Sequence, residues 1–299
     1  MQRSIPGSVT ISLARRAAGW ALWRPLWWPR LRRNRMGMAG LILAGVLTLV
    51  AILAPVLSPA DPYEVHLGER LRPPSLAHPA GTDDLGRDQL ARILYGSRVS
   101  LLVGFLSPTI SGIIGVAMGA LAGYFGGRID SLIMRLCDVL FAIPDLLLAI
   151  AVVFVLGPGL QNVFIALAAV GWAGLARIVR GEVLSRRNLE YVEAARAAGA
   201  SELAILFRHV LPNSLAPVIV WFTLSIPGAI MAEAGLSFLG LGVQPPVPSW
   251  GQMISFGRGY LRSAPWLSVL PGFALGLTVL AFNLLGDAVR DAVDPRLKP

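Results

Sequence analysis

The 299-residue chain is poor in charged side chains, which make up 14% of it, and it has a single cysteine and a single lysine. Soluble domains carry about a quarter charged residues, so too little water-facing surface is available here for an ordinary soluble fold. One cysteine, Cys137, excludes an internal disulfide, and its apolar surroundings predict a small core residue. A Walker A loop needs a lysine to reach nucleotide phosphates, and Lys298 is too close to the C-terminus to serve. We therefore expect no P-loop in this polypeptide.

Long hydrophobic runs make up most of the sequence. Hydrophobic residues account for 55% of it, and the mean hydropathy is +0.65. Runs close to the roughly 20 residues that a helix needs to cross a bilayer recur along the chain. The sequence therefore predicts an all-α polytopic membrane protein with six transmembrane helices. The predicted spans are 37–57, 98–124, 132–156, 163–179, 215–239 and 269–287.

The positive charge follows the membrane topology. The chain has 26 basic residues and a formal net charge of +9. Most of the basic residues precede the first span or lie in alternate polar segments on the same side, as the positive-inside rule describes. We expect a bacterial or archaeal plasma-membrane protein with both termini in the cytoplasm, and no nucleic-acid binding. The first apolar run begins too late and is too long for a cleaved signal peptide, so it is interpreted as an uncleaved anchor.

The predicted spans divide the chain into three parts. Residues 1–36 form a cytoplasmic segment whose tryptophans, Trp20, Trp23, Trp27 and Trp28, alternate with arginines and suit a membrane surface. Residues 37–96 contain the first span and a long external loop, and residues 97–299 contain the remaining five spans. A second external segment, 240–265, is rich in proline, which predicts a semi-rigid loop rather than a helix.

A polar, alanine-rich interruption at 189–212 is the strongest functional signal in this apolar chain. Its first part favours a helix that Gly199 is placed to end, and Ser201 is placed to cap a second helix. Apolar residues then follow at i, i+3, i+4 and i+7, which predicts one apolar face consisting of Leu203, Leu206, Phe207 and Val210. The pattern indicates a cytoplasmic helix–turn–helix with small residues at its bend, built to touch another protein. On periodicity alone, an ordinary amphipathic loop is an equal alternative.

The interruption also resembles a known motif. Glu193-Ala194-Ala195, Gly199 and Leu211-Pro212 match, at the same spacing, the EAA motif of binding-protein-dependent ABC importer permeases. One departure is His209, where the general pattern has isoleucine. Further stretches are similar to the C-type permease subunit of the dipeptide, oligopeptide and nickel branch. These are 81–88 (GTDDLGRD), 123–127 (GYFGG), 234–242 (AGLSFLGLG), 249–251 (SWG), 283–287 (NLLGD) and 294–296 (DPR).

This resemblance implies a fold, a set of partners and a function. The fold would be the type I ABC importer transmembrane domain with cytoplasmic coupling helices. The partners would be a homologous second permease, two ABC ATPases that hold ATP and magnesium, an external solute-binding protein, and membrane lipid. The chain would be a transport subunit rather than an enzyme, without a cofactor of its own. The residues expected to couple it to the ATPases are Glu193, Ala194, Ala195, Gly199, Leu203, Phe207, Leu211 and Pro212.

The expected cargo is a dipeptide or oligopeptide, and other cargoes and mechanisms stay open. Related permeases of the same branch carry nickel or opines. A secondary transporter would need no ATPase, but it usually shows internal repeats, and none is found here. An intramembrane enzyme would need a convergent catalytic set, which the sequence lacks.

Acidic residues inside predicted spans are candidates for the translocation path. Glu233 lies in the fifth span, where a charge costs about 2.5–3.5 kcal/mol, and it would face the path or make a structural hydrogen bond to neighbouring helices. Asp145, beside Pro144, is a second path candidate. Asp138 is instead expected to pair with Arg135 within one helix.

The remaining polar residues do not suggest a metal site. The three histidines are scattered, without thiol or carboxylate partners at ligand spacing. The run 83–88 lacks the alternating oxygens of a calcium loop and is interpreted as a turn and surface segment. Small residues in the second span, at Gly112, Gly115, Gly119 and Gly123, would allow a close helix–helix approach.

Overall fold

A computed structural model describes residues 27–293 and shows an all-helical chain over that range, as predicted. Five helices in it are long and apolar enough to cross a membrane, and a bent helix pair makes a sixth candidate. The α-helices are α1 (Trp27–Arg33), α2 (Arg35–Ile52), α3 (Ala54–Leu57), α4 (Gln89–Phe125), α5 (Gly127–Phe141), α6 (Asp145–Leu156), α7 (Leu160–Arg186), α8 (Glu190–Ala197), α9 (Glu202–Ile205), α10 (Ala216–Phe238), α11 (Trp250–Gly257) and α12 (Trp266–Val293). Of the sequence-based expectations, those on Trp20, Trp23, 294–296 and Lys298 lie outside the described residues.

The predicted spans coincide with these helices, although several helices are longer. The first and fifth predictions agree with α2 and α10 to within a few residues. The helix α4 begins at Gln89 rather than at residue 98, because the Asp88 carboxylate caps it by accepting from the Ala91 amide at 2.8 Å. Similarly, α7 and α12 extend beyond the apolar runs that predicted them. Hydropathy marks only the apolar part of a helix and not its more polar ends.

The third predicted span, 132–156, is wrong as one continuous helix. It is divided into α5 and α6, which meet at an angle of 90°. The division falls at Pro144, which has no amide hydrogen to donate and disfavours helical geometry in the residue before it. The bend places the N-terminus of α6 beside α4, α7 and α10, where the cavity described below is found.

Three of the four predicted glycines allow α4 and α7 to pack closely. A Cβ atom on Gly115 would lie 2.8 Å from the Trp172 carbonyl oxygen, and one on Gly123 would lie 2.8 Å from that of Arg180. A Cβ atom on Gly119 would overlap the Ala176 carbonyl oxygen. The fourth, Gly112, faces Trp221 of α10 at an ordinary contact distance instead.

The ion pairs of α5 differ from the prediction. Asp138 pairs with Arg177 of α7, and not with Arg135 of its own helix. Closer to the N-terminus of α5, Asp130 binds Arg180 of α7, with its Oδ2 2.6 Å from the arginine Nη2. Since α5 packs beside α7, both carboxylates reach an arginine of the neighbouring helix, and Asp130 binds its arginine through both oxygens. Cys137, on the same helix, is fully buried, as expected of a core residue.

The segment 83–88 is a turn, as predicted, but most of its residues are buried rather than on the surface. Asp83 is 3% exposed and accepts from the Arg87 guanidinium at 2.7 Å, with Arg92 of α4 at 3.5 Å. Asp88 accepts from His78 at 2.9 Å. Buried charges need such partners, and here they hold the loop against the outer end of α4.

The segment 240–265 contains a helix, contrary to the prediction of a loop. The prolines at 245, 246 and 248 all precede Ser249, whose hydroxyl caps α11 by accepting from the Gln252 amide. Trp250 then inserts into the protein, is 2% exposed, and donates from its indole to the Ile93 carbonyl oxygen at 3.1 Å. Proline therefore excluded a helix only up to the cap.

Candidate coupling segment and membrane cavity

The segment 189–212 forms the bent pair of short helices that the sequence predicted. The helix α8 ends in a Schellman motif, in which Gly199 donates to Arg196 and Ala200 donates to Ala195, at 3.0 and 3.2 Å. Gly199 has a φ of +80°, a conformation that side chains with a Cβ atom rarely adopt. Space is not what requires glycine there, since a Cβ atom would meet nothing within 4 Å.

The second helix departs from the predicted single apolar face. Ser201 caps α9 at the Ala204 amide, as expected. However, α9 ends at Ile205 and continues as a π-turn, Leu206–Val210, in which Leu211 donates to the Leu206 carbonyl oxygen at 2.8 Å. Leu206 and Val210 are fully buried, whereas Leu203 and Phe207 are 56% and 58% exposed. The segment therefore has a buried inner side and an exposed apolar outer side.

The inner side joins the segment to two long helices. Its buried residues form one hydrophobic cluster with residues of α4 and α7. The residues of this cluster that are buried are Ala120, Tyr124, Leu175, Val179, Val183, Val192, Ile205, Leu206 and Val210. Burial of these apolar side chains against one another stabilises the packing of the segment on the adjoining parts of α4 and α7.

A polar contact supports the same junction. The Tyr124 hydroxyl at the end of α4 donates to Glu202 at the start of α9. Arg196 of α8 donates to the same carboxylate at 3.2 Å. The Tyr124 hydrogen bond first, and the Arg196 guanidinium second, hold the pKa of Glu202 below its usual value. The anion thus links α8, α9 and α4.

Most of the predicted coupling residues lie on the outer side of the segment. Glu193, Ala194, Gly199, Leu203 and Phe207 are exposed. The others, Ala195, Leu211 and Pro212, are half-buried, and the first two pack against the hydrophobic cluster. Exposed large apolar side chains next to small residues are typical of a surface that binds another protein.

A cavity of about 530 Å³ lies among α4, α5, α6, α7 and α10, next to the bend between α5 and α6. Its wall is mostly apolar, with side chains such as Leu146, Leu167, Val170 and Met231. Asp145 is on the wall and exposed, and no other described residue hydrogen-bonds or ion-pairs with its carboxylate. Ser107 is also on the wall and 2% exposed, and its hydroxyl has no hydrogen-bond partner.

The other predicted path residue, Glu233, does not line this cavity. Its carboxylate is fully buried and accepts from Ser237 at 2.7 Å and from Ser100 at 3.4 Å. Ser100 in turn accepts from the Trp250 amide. This is the structural hydrogen bonding that the sequence left open as the alternative, and it ties α4, α10 and α11 together.

Trp221 connects the cavity to the coupling segment, and sequence patterns did not single it out. It lines the central cavity and also a second one of about 720 Å³, which lies among the C-terminal ends of α7 and α12 and the N-terminal end of α10. The same side chain packs against the hydrophobic cluster of the coupling segment. Ser107 was missed as well. An isolated tryptophan or serine in an apolar run carries no periodic signal, so only the packing of helices reveals either residue.

The described residues contain no group of three or more histidine, cysteine or acidic side chains that could hold a metal ion. Asp145 is the only such side chain among the described residues that line the central cavity. Nickel prefers several nitrogen or sulfur ligands, and this wall does not supply them.

Comparison with known proteins identifies the family of the chain. Residues 115–299 match the family described as binding-protein-dependent transport system inner membrane component. The chain belongs to this family. Residues 22–74 also match the N-terminal transmembrane domain of oligopeptide transport permease C. This family membership makes the chain a multi-pass membrane permease subunit of an ABC importer, as the motif resemblance had suggested.

Curated relatives cover most of the chain. The dipeptide transport system permease DppC of Alkalihalophilus pseudofirmus is 48% identical over 90% of this chain and 88% of its own length. The glutathione transport system permease GsiD of Pectobacterium atrosepticum is 47% identical over 92% of both chains. The di/tripeptide permease DppC of Pseudomonas aeruginosa is 46% identical over 91% of both.

The fold has a solved counterpart. A chain of the inward-facing MetNI methionine ABC transporter superposes with a TM-score of 0.55, covering 69% of this chain and 97% of its own. Identity is 21%, so this likeness shows the fold alone. The predicted type I importer fold is confirmed.

Proposed function

We propose that this chain is a permease subunit of an ATP-driven importer that moves dipeptides or oligopeptides delivered by an external solute-binding protein. It would work beside a homologous second permease and two ATPases, which hydrolyse ATP with magnesium. The observation that carries the proposal is the two-sided coupling segment. Its outer side offers Leu203 and Phe207 to a partner, and its inner side is packed onto α4 and α7.

The mechanism follows from that junction. When the ATPases close on ATP, they pull the coupling segment 189–212 with them. Because the hydrophobic cluster and the Tyr124–Glu202 contact leave little freedom at the junction, the inner ends of α4 and α7 follow. The cavity between these helices then changes its access from one side of the membrane to the other. Moving such an equilibrium from 1:99 to 99:1 takes about 5.5 kcal/mol, which the junction has to transmit.

Two observations support peptide rather than nickel as the cargo. The substrates for which these relatives are named are dipeptides, di/tripeptides and glutathione, which are all short peptides. The central cavity has a largely apolar wall with one carboxylate, which suits an organic ammonium better than a transition metal. Adjacent genes for two ATPases, a second permease and a binding protein would support the assembly.

A tryptophan at Gly199 tests the coupling role. The left-handed conformation costs a residue with a Cβ atom roughly 1–2 kcal/mol, and the indole would stand on the exposed side of the bend. We expect the Gly199→Trp variant to keep its helical fold but to lose ATPase binding and peptide uptake. Co-purification of the ATPases and uptake into proteoliposomes are the measurements. Gly240→Trp is the matched control for ATPase binding, because Gly240 has the same φ of +80° and equally open space but lies outside the segment.

Crosslinking tests the contact directly. A cysteine at the exposed Ala194 is expected to crosslink to the ATPase in the assembled complex. The native Cys137 is buried and gives a low background. Two results together would refute the coupling role. The Gly199→Trp variant would take up peptide and co-purify with the ATPases normally, and the Ala194→Cys variant would form no crosslink to any protein.

A further inference from the structure

The central cavity contains two polar groups that the rest of the described chain leaves unused. The Asp145 carboxylate stands on its wall without a hydrogen-bond or ion-pair partner among residues 27–293. The Ser107 hydroxyl stands on the same wall, is 2% exposed and has no partner. A buried hydroxyl without a partner is costly, so its presence here calls for a group that binds it.

The position of Asp145 also speaks against exposure to lipid. A carboxylate facing hydrocarbon in the middle of a span would be strongly unfavourable. Asp145 escapes this because the bend at Pro144 places it at the first turn of α6, where the helix dipole stabilises an anion and the cavity can hold water or a ligand. The bend therefore places the Asp145 carboxylate on the wall of the cavity rather than against lipid.

The rest of the wall limits what could bind. Its remaining lining is dominated by apolar side chains, among them Phe141, Leu146, Leu167, Val170 and Met231. No described lysine, arginine or histidine lines it, so it offers nothing to a carboxylate or phosphate. Its volume of about 530 Å³ falls within the range of sites for small organic ligands. A positively charged group attached to an apolar body fits these features.

We propose that the central cavity binds the N-terminal residue of a transported peptide, with the α-ammonium on Asp145, a polar atom of the first peptide unit on Ser107, and the side chain against the apolar wall. This rests on the proposed function, since the cavity must lie on a transport path for peptides to reach it. The C-terminal carboxylate then points out of the cavity. Binding is by the amine and not by a particular side chain, which allows one cavity to serve many peptides.

Photocrosslinking of the complete complex in nanodiscs, without binding protein, tests occupancy. The probes are Ala-benzoylphenylalanine and its N-acetylated form, in which a neutral acetamide replaces the ammonium group. The free-amine probe should label α6 or α10, and acetylation should reduce the labelling about tenfold or more, as loss of a charge-assisted hydrogen bond implies. Asp145→Asn should remove the difference between the probes, and Asp145→Glu should restore most of it. Labelling that is equal for both probes overturns the site.

Uptake of Ala-Phe into proteoliposomes at saturating binding protein tests the role in transport. Asp145→Asn should lower uptake about tenfold, whereas ATP hydrolysis stimulated by loaded binding protein should persist. Ser107→Ala should lower uptake about threefold without loss of stability, because that hydroxyl has no partner to lose. Asp291→Asn, which removes a charge from an exposed position outside the cavity, is the matched control.

The possible outcomes separate this site from the proposed function. If the unmodified complex imports Ala-Phe and Asp145→Asn imports it equally well, the site is wrong and the importer stands. If the unmodified complex hydrolyses ATP but imports no peptide, the peptide function is wrong, and the site is overturned with it.

Discussion

At the scale of single residues, Glu233 illustrates how a membrane protein uses a buried carboxylate for structure. It accepts hydrogen bonds from Ser237 of its own helix and from Ser100 of α4, and Ser100 accepts from the Trp250 amide. The external helix α11 is thus anchored through a serine to a carboxylate within the membrane helices. Burial of this group is tolerable only because hydroxyl partners replace water.

Removal of that carboxylate should loosen the external helix. In Glu233→Ala, Ser100 and Ser237 lose their acceptor, which costs about 1–3 kcal/mol. Glu233→Gln keeps an acceptor oxygen and should cost less. Thermal unfolding of the purified complex, followed together with quenching of Trp250 fluorescence by external iodide, measures both effects. Equal stability of the two variants would contradict the anchoring role.

His78 makes the external loop sensitive to pH. Its imidazole lies 2.9 Å from Asp88 and 3.3 Å from Glu69, which also binds Arg72. The hydrogen bond to Asp88, ahead of the charge of Glu69, raises the pKa of His78 above its usual value. A raised pKa means that the protonated histidine stabilises the folded loop fully below about pH 6.5. This stabilisation is lost as the pH rises through the raised pKa.

We therefore expect amide exchange in residues 67–88, corrected for the intrinsic effect of pH, to accelerate between about pH 6.5 and alkaline pH. His78→Gln should remove that acceleration. His66→Gln is the control, because His66 is half exposed and pairs only with the exposed Glu64. Identical pH profiles for the protein and its His78→Gln variant would count against this interpretation.

At the scale of helices, backbone approach between α4 and α7 depends on glycine. Without strong hydrophobic force between helices in lipid, close van der Waals packing is what holds them together. Gly119 touches the Ala176 backbone so closely that even a methyl group does not fit. Because α4 and α7 also hold the coupling segment, their separation would disturb the mechanism as well as the fold.

The same small substitution should destabilise the complex at one position and leave it unchanged at another. Gly119→Ala should destabilise the complex by about 1–3 kcal/mol through overpacking. This corresponds to a melting temperature lower by about 2–4 °C for each kcal/mol. Gly112→Ala should be neutral, because its Cβ atom would lie 3.7 Å from Trp221. Thermal unfolding of the two purified complexes measures this difference, and equal melting temperatures would refute the packing assigned to α4 and α7.

At the scale of the whole molecule, the two ends of the helix bundle are expected to face different compartments. The basic residues gather at the end that holds the coupling segment, which the positive-inside rule assigns to the cytoplasm. A cysteine at Leu76, in the external loop, should react with an impermeant maleimide in intact spheroplasts. A cysteine at the exposed Ala197 should react only after permeabilisation. The reverse pattern would invert the proposed orientation.

Local features allowed much of this architecture to be predicted. The membrane class and the approximate spans depend on the length of apolar runs. The bend in the coupling segment depends on Gly199 and Ser201, which are signals within a few residues of the structure that they produce. Two of the predictions that were wrong concern contacts that the sequence pattern does not specify. Asp138 pairs with Arg177 of another helix rather than with Arg135 of its own. The residues of the expected apolar face of the second coupling helix are divided between a buried inner side and an exposed outer side.

The sequence by itself determined the class of protein, its family and the place of its coupling segment, because composition, hydrophobic period and capping residues act on neighbours along the chain. Only the tertiary structure decided that Glu233 meets Ser100, that Trp221 separates two cavities, and that Ser107 and Asp145 share one wall. These pairs come from helices far apart in sequence. Their meeting depends on how closely glycine lets helices approach and on where a proline bends them.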